Sequence, residues 1–232
     1  MCVNSCKIFH TSYHGPMNPT FEYERKLWQK GLRFVGGADE VGRGAFAGPV
    51  VAAVVVFDPL NISWPKGIIV RDSKKMTRDQ RIKSSLWLKE NTYWGVGEVG
   101  VATINQKGIA RASQSAFRRA IIEVRYHLPK KLEHLLVDAF FVPYTNGLAK
   151  PKQTPIVKGD EASFSIAAAS IIAKVHRDSI MKGLSKQFKF KRYSWGKNVG
   201  YGTLEHRNAI LTFGVTAQHR KDYLLKLFAS QG

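Results

Sequence analysis

Four acidic residues of this 232-residue chain stand where an α/β protein usually places its chemistry. Each lies at or just beyond the end of a predicted β-strand: Asp39, Glu40, Asp138 and Asp160. Sites in α/β folds form at strand ends. If the fold brings these side chains together, their negative charges repel one another unless divalent cations lie among them. Ligands that are all oxygen, with no Cys or His nearby in the sequence, favour Mg²⁺ or Mn²⁺ over zinc.

The neighbours Asp39 and Glu40 raise a geometric objection to this cluster. On a regular strand, successive side chains point to opposite faces, so the two carboxylates could not both face one ion. Gly42 and Gly44, on either side of Arg43, allow backbone angles that are closed to other residues. We therefore expect the strand to break at Glu40 and to turn its side chain or carbonyl toward the site. An ordinary solvated turn is the alternative for this pattern.

The charge balance favours a polyanionic partner. The chain has 36 Lys and Arg against 17 Asp and Glu, which gives a formal net charge of +19. Such a surface attracts nucleic acid, although a basic face without a dedicated partner is the alternative. A membrane surface is disfavoured, because no segment combines an apolar helical face with a dense cationic one. We expect no membrane association.

The apolar segments and the first residues indicate the setting of the protein. The longest apolar runs, such as 50–57, are far shorter than the roughly 20 residues that a membrane-spanning helix needs. The first twenty residues contain no continuous apolar stretch of the secretory type. We therefore expect a cytoplasmic protein with one main domain, and a monomer.

The N-terminal segment carries a second candidate for metal binding. Cys2, Cys6, His10 and His14 recur at every fourth residue and could be offered to zinc. The spacing is not that of a known zinc finger, so we favour a flexible N-terminal extension over residues 1–30. Residues 31–232 then form the folded domain, including a helical C-terminal part.

Strand and helix patterns alternate along residues 31–232 and predict an α/β fold with a sheet flanked by helices. Predicted strands cover 32–38, 49–57, 93–100, 134–140 and 154–157. Predicted helices cover 77–90, with Thr77 and Gln80 as a capping box, then 102–127 and 162–188, and Thr203 opens a last shorter helix. The sheet must therefore position the four acidic residues.

Six motifs follow one another between Val35 and Arg220. They are Gly37-Ala-Asp39-Glu40-Val-Gly42-Arg43-Gly44 with Ala47-Gly-Pro-Val-Val-Ala-Ala; Asp72-Ser-Lys-Lys75; Leu136-Val-Asp138; Lys158-Gly-Asp160; Ser165-Ile-Ala-Ala-Ala-Ser-Ile with Ala173-Lys-Val-His-Arg-Asp178; and Gly200-Tyr-Gly-Thr203 with His206. In this order they resemble the ribonuclease HII family over most of the chain.

The resemblance implies a ribonuclease H-like fold with a central mixed sheet and a catalytic domain over residues 31–232. It also implies an endonuclease that cuts the RNA strand of RNA–DNA hybrids and nicks DNA 5′ of embedded ribonucleotides, as ribonucleotide excision repair and replication require. The family holds two divalent ions with carboxylates that match Asp39, Glu40, Asp138 and Asp160. Cleavage by this two-ion mechanism is expected to give products with 5′-phosphate and 3′-hydroxyl ends. Whether a replication clamp is a further partner stays open.

The resemblance also assigns substrate contacts. The turn Gly42-Arg43-Gly44 should meet the 2′-hydroxyl that separates RNA from DNA, and Tyr201 should stack on the sugar of the adjoining deoxynucleotide. Five basic residues within or beside the motifs are predicted phosphate contacts: Lys74, Lys158, Lys174, Arg177 and Lys197. The chain departs from the family at Ala139, where glycine is usual, and at Val215, where proline is common. Residues 144–152 are predicted to be an insertion.

Two alternatives remain at this point. Ribonuclease HIII is a sibling family with a longer N-terminal substrate-binding domain and a lysine in the turn, and Arg43 speaks against it. A non-catalytic protein that binds hybrids or DNA would also use the basic charge. The four carboxylates speak against that reading, because a pure binder would gain affinity for phosphates by losing them.

Overall fold

The structure is a computed structural model that describes residues 19–229. The strands are β1 (Val35–Val41), β2 (Val50–Val56), β3 (Tyr93–Val99), β4 (His134–Asp138) and β5 (Gln153–Ile156). The helices are α1 (Glu22–Trp28), α2 (Arg78–Asn91), α3 (Val101–His127), α4 (Gly159–Ala162), α5 (Phe164–Ser185), α6 (Trp195–Asn198), α7 (Leu204–Phe213) and α8 (Lys221–Ala229). Short 3₁₀ segments occur at Ser73–Lys75, Lys150–Lys152 and Phe188–Tyr193. The zinc arrangement considered for Cys2, Cys6, His10 and His14 lies outside the described residues.

The five strands form one mixed sheet in the order β3-β2-β1-β4-β5. β1, β2 and β3 pair antiparallel, whereas β1, β4 and β5 pair parallel. The parallel strands therefore bring their carboxyl ends to the same edge, where β1 ends at Val41 and β4 at Asp138. The predicted mixed sheet flanked by helices is confirmed.

Helices cover both faces of this sheet, and β2 shows why. Its seven residues, all Val or Ala, are fully buried, with Val50, Ala52, Val54 and Val56 facing α3 and the others facing α5 and α2. A strand buried on both faces has a continuous apolar sequence instead of an alternating one. The sequence of β2 therefore places it in the middle layer.

Glycines allow the helices to approach the sheet closely. A Cβ atom built on Gly37 of β1 would lie 2.2 Å from the backbone carbon of Ser165 in α5. On the other face, a Cβ atom on Gly97 of β3 would lie 1.9 Å from the carbonyl oxygen of Ala116 in α3. Any side chain at either position would push a helix away from the sheet. The contact at Gly37 fixes α5 directly against the strand that carries Asp39.

The C-terminal part is helical, as predicted, but its division differs from the prediction. The helix predicted over 162–188 is two helices, α4 and α5, because Ser163 adopts an extended conformation and its side chain caps α5. The helix predicted from Thr203 is α7, and α8 follows it. The C-terminal helices pack around the buried residues Trp195, Tyr193 and Leu224.

The N-terminal extension predicted over 1–30 is wrong for the part that the structure describes. Residues Glu22–Trp28 form α1, and the side chain of Glu24 is completely buried against the start of α5. A helix with a buried, hydrogen-bonded side chain is part of the folded domain, so the domain begins before residue 31. None of the helices within 19–229 is both long and apolar enough to cross a membrane.

Candidate active site

The strand register brings three of the four predicted carboxylates to one edge of the sheet. Ala38 of β1 lies opposite Val137 of β4, so Asp39 and Asp138 are the next residues on two parallel neighbours. Glu40 follows Asp39 on the same strand. Asp160 lies on α4, which begins three residues after the end of β5. Because β5 is the neighbour of β4, α4 starts at the same edge.

The electrostatics of Asp39 show that the four charges share one neighbourhood. Burial raises the pKa of Asp39 well above its usual range, and the nearby carboxylates of Glu40, Asp138 and Asp160 raise it further. A hydrogen bond from Ser170 opposes this rise in the pKa. Burial likewise raises the pKa of Glu40. A buried cluster of acidic groups without enough positive charge has these properties.

The expected break of the strand at Glu40 is wrong. β1 continues through Val41, and Glu40 pairs with Ala52 of β2. Glu40 therefore points to the face of the sheet opposite to that of Asp39, as strand geometry demands. The two carboxylates still interact electrostatically, since the charge of Glu40 raises the pKa of Asp39. Asp39 Oδ1 also accepts a hydrogen bond of 2.7 Å from the backbone N–H of Glu40.

Each of these carboxylates forms a hydrogen bond or an ion pair with another group of the chain. Asp138 Oδ1 accepts from the backbone N–H of Gly159 at 2.8 Å, Glu40 Oε1 pairs with Arg43 at 3.1 Å, and Asp160 Oδ2 pairs with Lys74 at 3.4 Å. Within residues 19–229, no three acidic, His or Cys side chains already stand as ligands around one point. The carboxylates thus lie in one neighbourhood, but their oxygens do not yet form a set of ligands around one position.

The donor set nevertheless fits hard divalent cations. All four groups offer carboxylate oxygens, which Mg²⁺ and Mn²⁺ prefer. The raised pKa of Asp39 marks a site whose negative charge its own neighbours do not balance. Lys74 is one of the cations beside the site: burial lowers its pKa, but Asp160, Asp72 and Asp39 together raise it above the usual value.

Lys74 is presented by a short turn that is anchored to α5. The side chain of Asp72 accepts from the backbone N–H of Lys74 and so caps the 3₁₀ segment. The hydroxyls of Ser73 and Ser170 share a hydrogen bond of 2.8 Å, and Ser170 is the residue that also contacts Asp39. The motif Asp72-Ser-Lys-Lys75 therefore holds an exposed ammonium group over the carboxylates.

The turn Gly42-Arg43-Gly44 follows β1 directly. Gly42 has φ +91°, and a Cβ atom there would lie 2.2 Å from Arg177 Nε, so two independent constraints require glycine. Gly44 differs, because a Cβ atom at this position would have no atom of the described chain within 4 Å. The guanidinium of Arg43 lies 5.3 Å from the ring centre of Phe140. The turn therefore faces open space beside the carboxylates.

Tyr201 belongs to a segment that is joined by backbone hydrogen bonds to the residues just after this turn. The carbonyl of the preceding Gly200 accepts hydrogen bonds from the N–H groups of Phe46 and Ala47. The ring of Tyr201 has Lys174 Nζ at 5.5 Å and Arg177 Cζ at 5.3 Å from its centre. The predicted tyrosine and the predicted turn are thus parts of one surface.

The predicted phosphate contacts differ in exposure. The side chain of Lys74 is 78% exposed and that of Lys197 is 84% exposed, and Lys158 is also exposed. Lys174 is half-buried and pairs with Asp178 at 2.9 Å. Arg177 is wrong as a phosphate contact, because it is fully buried and donates to the carbonyls of residues 47, 49 and 199.

Several residues around the site had no assigned role in the sequence analysis. Arg220 is fully buried behind the turn and donates to its carbonyls. His206 Nδ1 lies 2.9 Å from the carbonyl of Tyr201, and its Nε2 accepts from Trp195 Nε1 at 3.0 Å. The one available signal was their position inside or just after the C-terminal motif.

The departure at Ala139 has a visible consequence, since its φ of +64° is one that favours glycine.

The mixed sheet, the carboxylates at its edge and the basic surface define the chain as a ribonuclease H-like α/β nuclease. The family model "Ribonuclease HII" matches residues 36–226. The chain therefore belongs to the ribonuclease HII family.

Curated relatives agree with this assignment. A ribonuclease HII of Caldanaerobacter subterraneus is 43% identical over 206 residues, 88% of this chain and 80% of the relative. One of a Synechococcus species is 40% identical over 212 residues, 89% of each protein.

Three solved structures share the fold. The ribonuclease H2 of Pyrococcus horikoshii has a TM-score of 0.65 at 24% identity, covering 85% of this chain and 98% of that one. The ribonuclease HII of Archaeoglobus fulgidus, solved as a complex with PCNA, has a TM-score of 0.62 at 23% identity, covering 81% and 93%. Bst-RNase HIII in complex with Mn²⁺ has a TM-score of 0.64 at 20% identity, covering 86% and 70%.

Proposed function

We propose that this chain is an endonuclease that hydrolyses the RNA strand of RNA–DNA hybrids and nicks duplex DNA on the 5′ side of embedded ribonucleotides. The products carry 5′-phosphate and 3′-hydroxyl ends. The observation that carries the proposal is the shared neighbourhood of Asp39, Glu40, Asp138 and Asp160 at one edge of the sheet. Membership of the ribonuclease HII family supports the choice of substrate.

Asp39, Glu40, Asp138 and Asp160 would hold two divalent ions, Mg²⁺ or Mn²⁺. Bound ions of this kind supply an activated water and positive charge at the scissile phosphate. Cation binding would favour the ionised form of Asp39, whose pKa burial and the neighbouring carboxylates raise in the ion-free protein. Arg43 and Lys74 pair with Glu40 and Asp160 in the structure, and both would be available to bind phosphate if these carboxylates held cations instead.

The substrate would lie between the turn Gly42-Arg43-Gly44 and Tyr201. The open space at Gly44 admits a sugar close to the backbone, where N–H groups can meet the 2′-hydroxyl. Tyr201 stacks on the sugar of the adjoining deoxynucleotide. The exposed Lys74, Lys158 and Lys197, with the half-buried Lys174 beside Tyr201, bind the phosphates along the duplex.

The setting and the assembly belong to the same proposal. We place the protein in the cytoplasm as a monomer that acts on hybrids and on ribonucleotide-containing duplexes. A sliding clamp of the replication machinery is its further partner, which the PCNA complex of the Archaeoglobus fulgidus protein supports.

A cleavage assay tests the proposal. The protein is incubated with a DNA duplex that carries one ribonucleotide, with Mg²⁺, with Mn²⁺ and with a chelator. We expect a nick 5′ of the ribonucleotide with either ion and none with the chelator. Asp39→Asn should lower turnover at least about 100-fold, with duplex affinity kept or tightened because anionic repulsion falls.

The matched control is Asp79→Asn, which removes an exposed carboxylate from the first turn of α2. This variant should cut like the unmodified protein. An absence of nicking with every divalent ion would leave a protein that only binds hybrids, and unfolding of Asp39→Asn would mean that Asp39 has a structural role.

A further inference from the structure

Two arginines are completely buried beside the turn, and no carboxylate lies within ion-pair distance of either among the described residues. They are Arg177 of α5 and Arg220, which immediately precedes α8. A buried charge is costly unless hydrogen bonds satisfy its donors. Burial, and next the charge of Arg177, lowers the pKa of Arg220 to about 10, which leaves it cationic at neutral pH.

The donors of both arginines are satisfied mainly by one segment, residues 42–49, which we call the recognition loop. Arg220 donates to the carbonyls of Gly42 at 2.7 Å and Arg43 at 2.8 Å, and also to those of residues 48 and 49. Arg177 donates to the carbonyls of residues 47 and 49. The inner side of the recognition loop is therefore a row of carbonyl oxygens that faces two guanidinium groups.

The direction of these carbonyls determines the direction of two N–H groups. In a trans peptide the C=O and the N–H of the same plane point in opposite directions, and the described chain contains no cis peptide. Because the carbonyls of Gly42 and Arg43 point at Arg220, the N–H groups of Arg43 and Gly44 point away from it. They therefore face the outer side of the loop, where the space above Gly44 is open.

These two N–H groups differ from their neighbours in having no partner within residues 19–229. The N–H groups of residues 45, 46, 47 and 48 all donate to backbone carbonyls. Those of Arg43 and Gly44 make no hydrogen bond inside the described chain. Two adjacent donors are thus presented toward open space, beside the carboxylates.

A second residue of the C-terminal segment holds the same peptide. The hydroxyl of Tyr223 in α8 donates to the carbonyl of Arg43 at 2.6 Å, and its ring centre lies 5.6 Å from Arg220 Cζ. The carbonyl of Arg43 thus accepts from a guanidinium and from a phenol. A charged donor on a carbonyl polarises its peptide and makes the attached N–H a stronger donor.

We propose that Arg220, together with the Tyr223 hydroxyl, is a positioning residue that turns the N–H groups of Arg43 and Gly44 outward and strengthens them as donors to the 2′-hydroxyl of the ribonucleotide. This inference rests on the proposed function, which supplies the ribonucleotide. It makes the start of α8 a part of ribose recognition, although neither Arg220 nor Tyr223 touches the substrate.

The test compares binding of two duplexes that differ in one 2′-hydroxyl. Affinities for a duplex with a single ribonucleotide and for the all-DNA duplex are measured with Ca²⁺, and gels verify that the strands stay intact. Tyr223→Phe removes one hydrogen bond to Arg43 and should reduce the ratio of the two affinities by about 3- to 10-fold. Arg220→Lys keeps the positive charge but loses the planar guanidinium, whose several N–H groups donate to the loop carbonyls. It should reduce this ratio by at least about 10-fold.

Tyr193→Phe is the matched control, because the Tyr193 hydroxyl also donates to a backbone carbonyl, that of Gly214, away from the recognition loop. It should leave the ratio unchanged. Affinity for the all-DNA duplex should stay within about 2-fold in Tyr223→Phe, since phosphate contacts carry it. The amide NMR signals of Arg43 and Gly44 in the free protein should shift in Tyr223→Phe and not in Tyr193→Phe.

An unchanged ratio in Tyr223→Phe, or an equal fall in both affinities, overturns the positioning role. Tyr223→Phe decides this question even if Arg220→Lys does not fold, because the Tyr223 ring is only half-buried and stays in place. If the unmodified protein does not prefer the ribonucleotide duplex at all, the proposed function itself fails. The two failures are therefore distinguishable.

Discussion

Tyr201 illustrates how single residues of this site are oriented. Its N–H donates to the carbonyl of Asn198, and its own carbonyl faces His206 Nδ1. A carbonyl can only accept, so Nδ1 of His206 carries the proton and Nε2 is free to accept from Trp195. Burial lowers the pKa of His206, which keeps this ring neutral. The backbone of Tyr201 is thus fixed, while its half-buried ring remains available for a substrate.

We expect Tyr201→Ala to weaken cleavage at an RNA-to-DNA junction more than it weakens duplex binding. Loss of one stacking contact should lower kcat/KM at a junction by about 10-fold or more, whereas phosphate contacts maintain the affinity for the duplex. Cleavage rates and dissociation constants measured on the same junction duplex check this. Tyr126→Ala removes a tyrosine that is 80% exposed on α3 and is the matched control. Equal losses in cleavage and binding would make Tyr201 part of the scaffold.

At this scale, residue types could be predicted from the sequence but their exposure could not. Asp39 and Asp138 were predicted from their place at strand ends, and the strand register does bring them side by side. Arg177 was assigned to phosphate because a motif contains it. Whether a basic side chain on a helix faces solvent depends on what packs against that side, and α5 is enclosed by the sheet and the C-terminal helices.

At the scale of elements, α1 supports the break between α4 and α5. Thr20 pairs with the extended Ser163, donating its N–H to the carbonyl of Ala162 and accepting from the N–H of Phe164. Glu24 Oε1 accepts from the Ser163 hydroxyl at 2.7 Å and from the backbone N–H of residue 165 at 2.9 Å. The break separates α4, which carries Asp160, from α5, which packs on β1. The N-terminal helix therefore contributes to the position of a carboxylate in the site.

We expect Glu24→Gln to change the pH dependence of stability. Burial raises the pKa of Glu24, so the folded state favours the protonated form. The stabilisation that comes from protonated Glu24 is fully present below the pKa that Glu24 has in the unfolded chain. It is lost as pH rises through the higher pKa that Glu24 has in the folded protein. Glutamine keeps the accepting oxygen and carries no charge, so the variant should avoid the loss. The melting temperature of Glu24→Gln relative to the unmodified protein should rise by a few degrees between pH 5 and pH 8.

Glu22→Gln, in the same helix, is the control for this experiment. Glu22 is exposed and pairs with Lys26, which lowers its pKa instead of raising it. Its replacement should give no gain in melting temperature at high pH. A relative melting temperature of Glu24→Gln that stays level or falls between pH 5 and pH 8 would contradict the prediction and indicate a charged carboxylate in the folded state.

Elements with local signals were predictable, and those defined by packing were not. The capping box of Thr77 and Gln80 is present at the start of α2, and the apolar run of β2 is a buried strand. The break at Ser163 was missed because Thr20 and Glu24, far away in sequence, stabilise it. α8 was missed because it is a short helix whose buried Leu224 packs on a cluster assembled from distant segments.

At the scale of the whole molecule, the distribution of charge is as informative as its sum. The net charge is +19, yet the carboxylates at the site lie together and are largely buried. Basic side chains such as Lys74 extend beside them into solvent. Lys30 lies near His134, at the start of β4 and thus at the opposite end of that strand from Asp138. The structure therefore distinguishes basic residues at the site from basic residues far from it.

This arrangement predicts how salt weakens the binding of a hybrid. Each phosphate that a cationic side chain neutralises releases counterions, so the logarithm of affinity falls linearly with the logarithm of salt concentration. With about 6 to 10 such contacts, affinity should fall roughly 10³- to 10⁵-fold between about 50 and 200 mM salt.

Lys74→Ala should lower the slope of this salt dependence by about 1, since the Lys74 ammonium is placed to meet phosphate. Lys30→Ala removes the same charge at the far end of the strand and should leave the slope unchanged. Titrations of both variants with a fluorescent hybrid, in Ca²⁺ to prevent cutting, measure the two slopes. Equal slopes for the two variants would mean that binding depends on the net charge alone and that the basic residues beside the carboxylates do not guide the duplex.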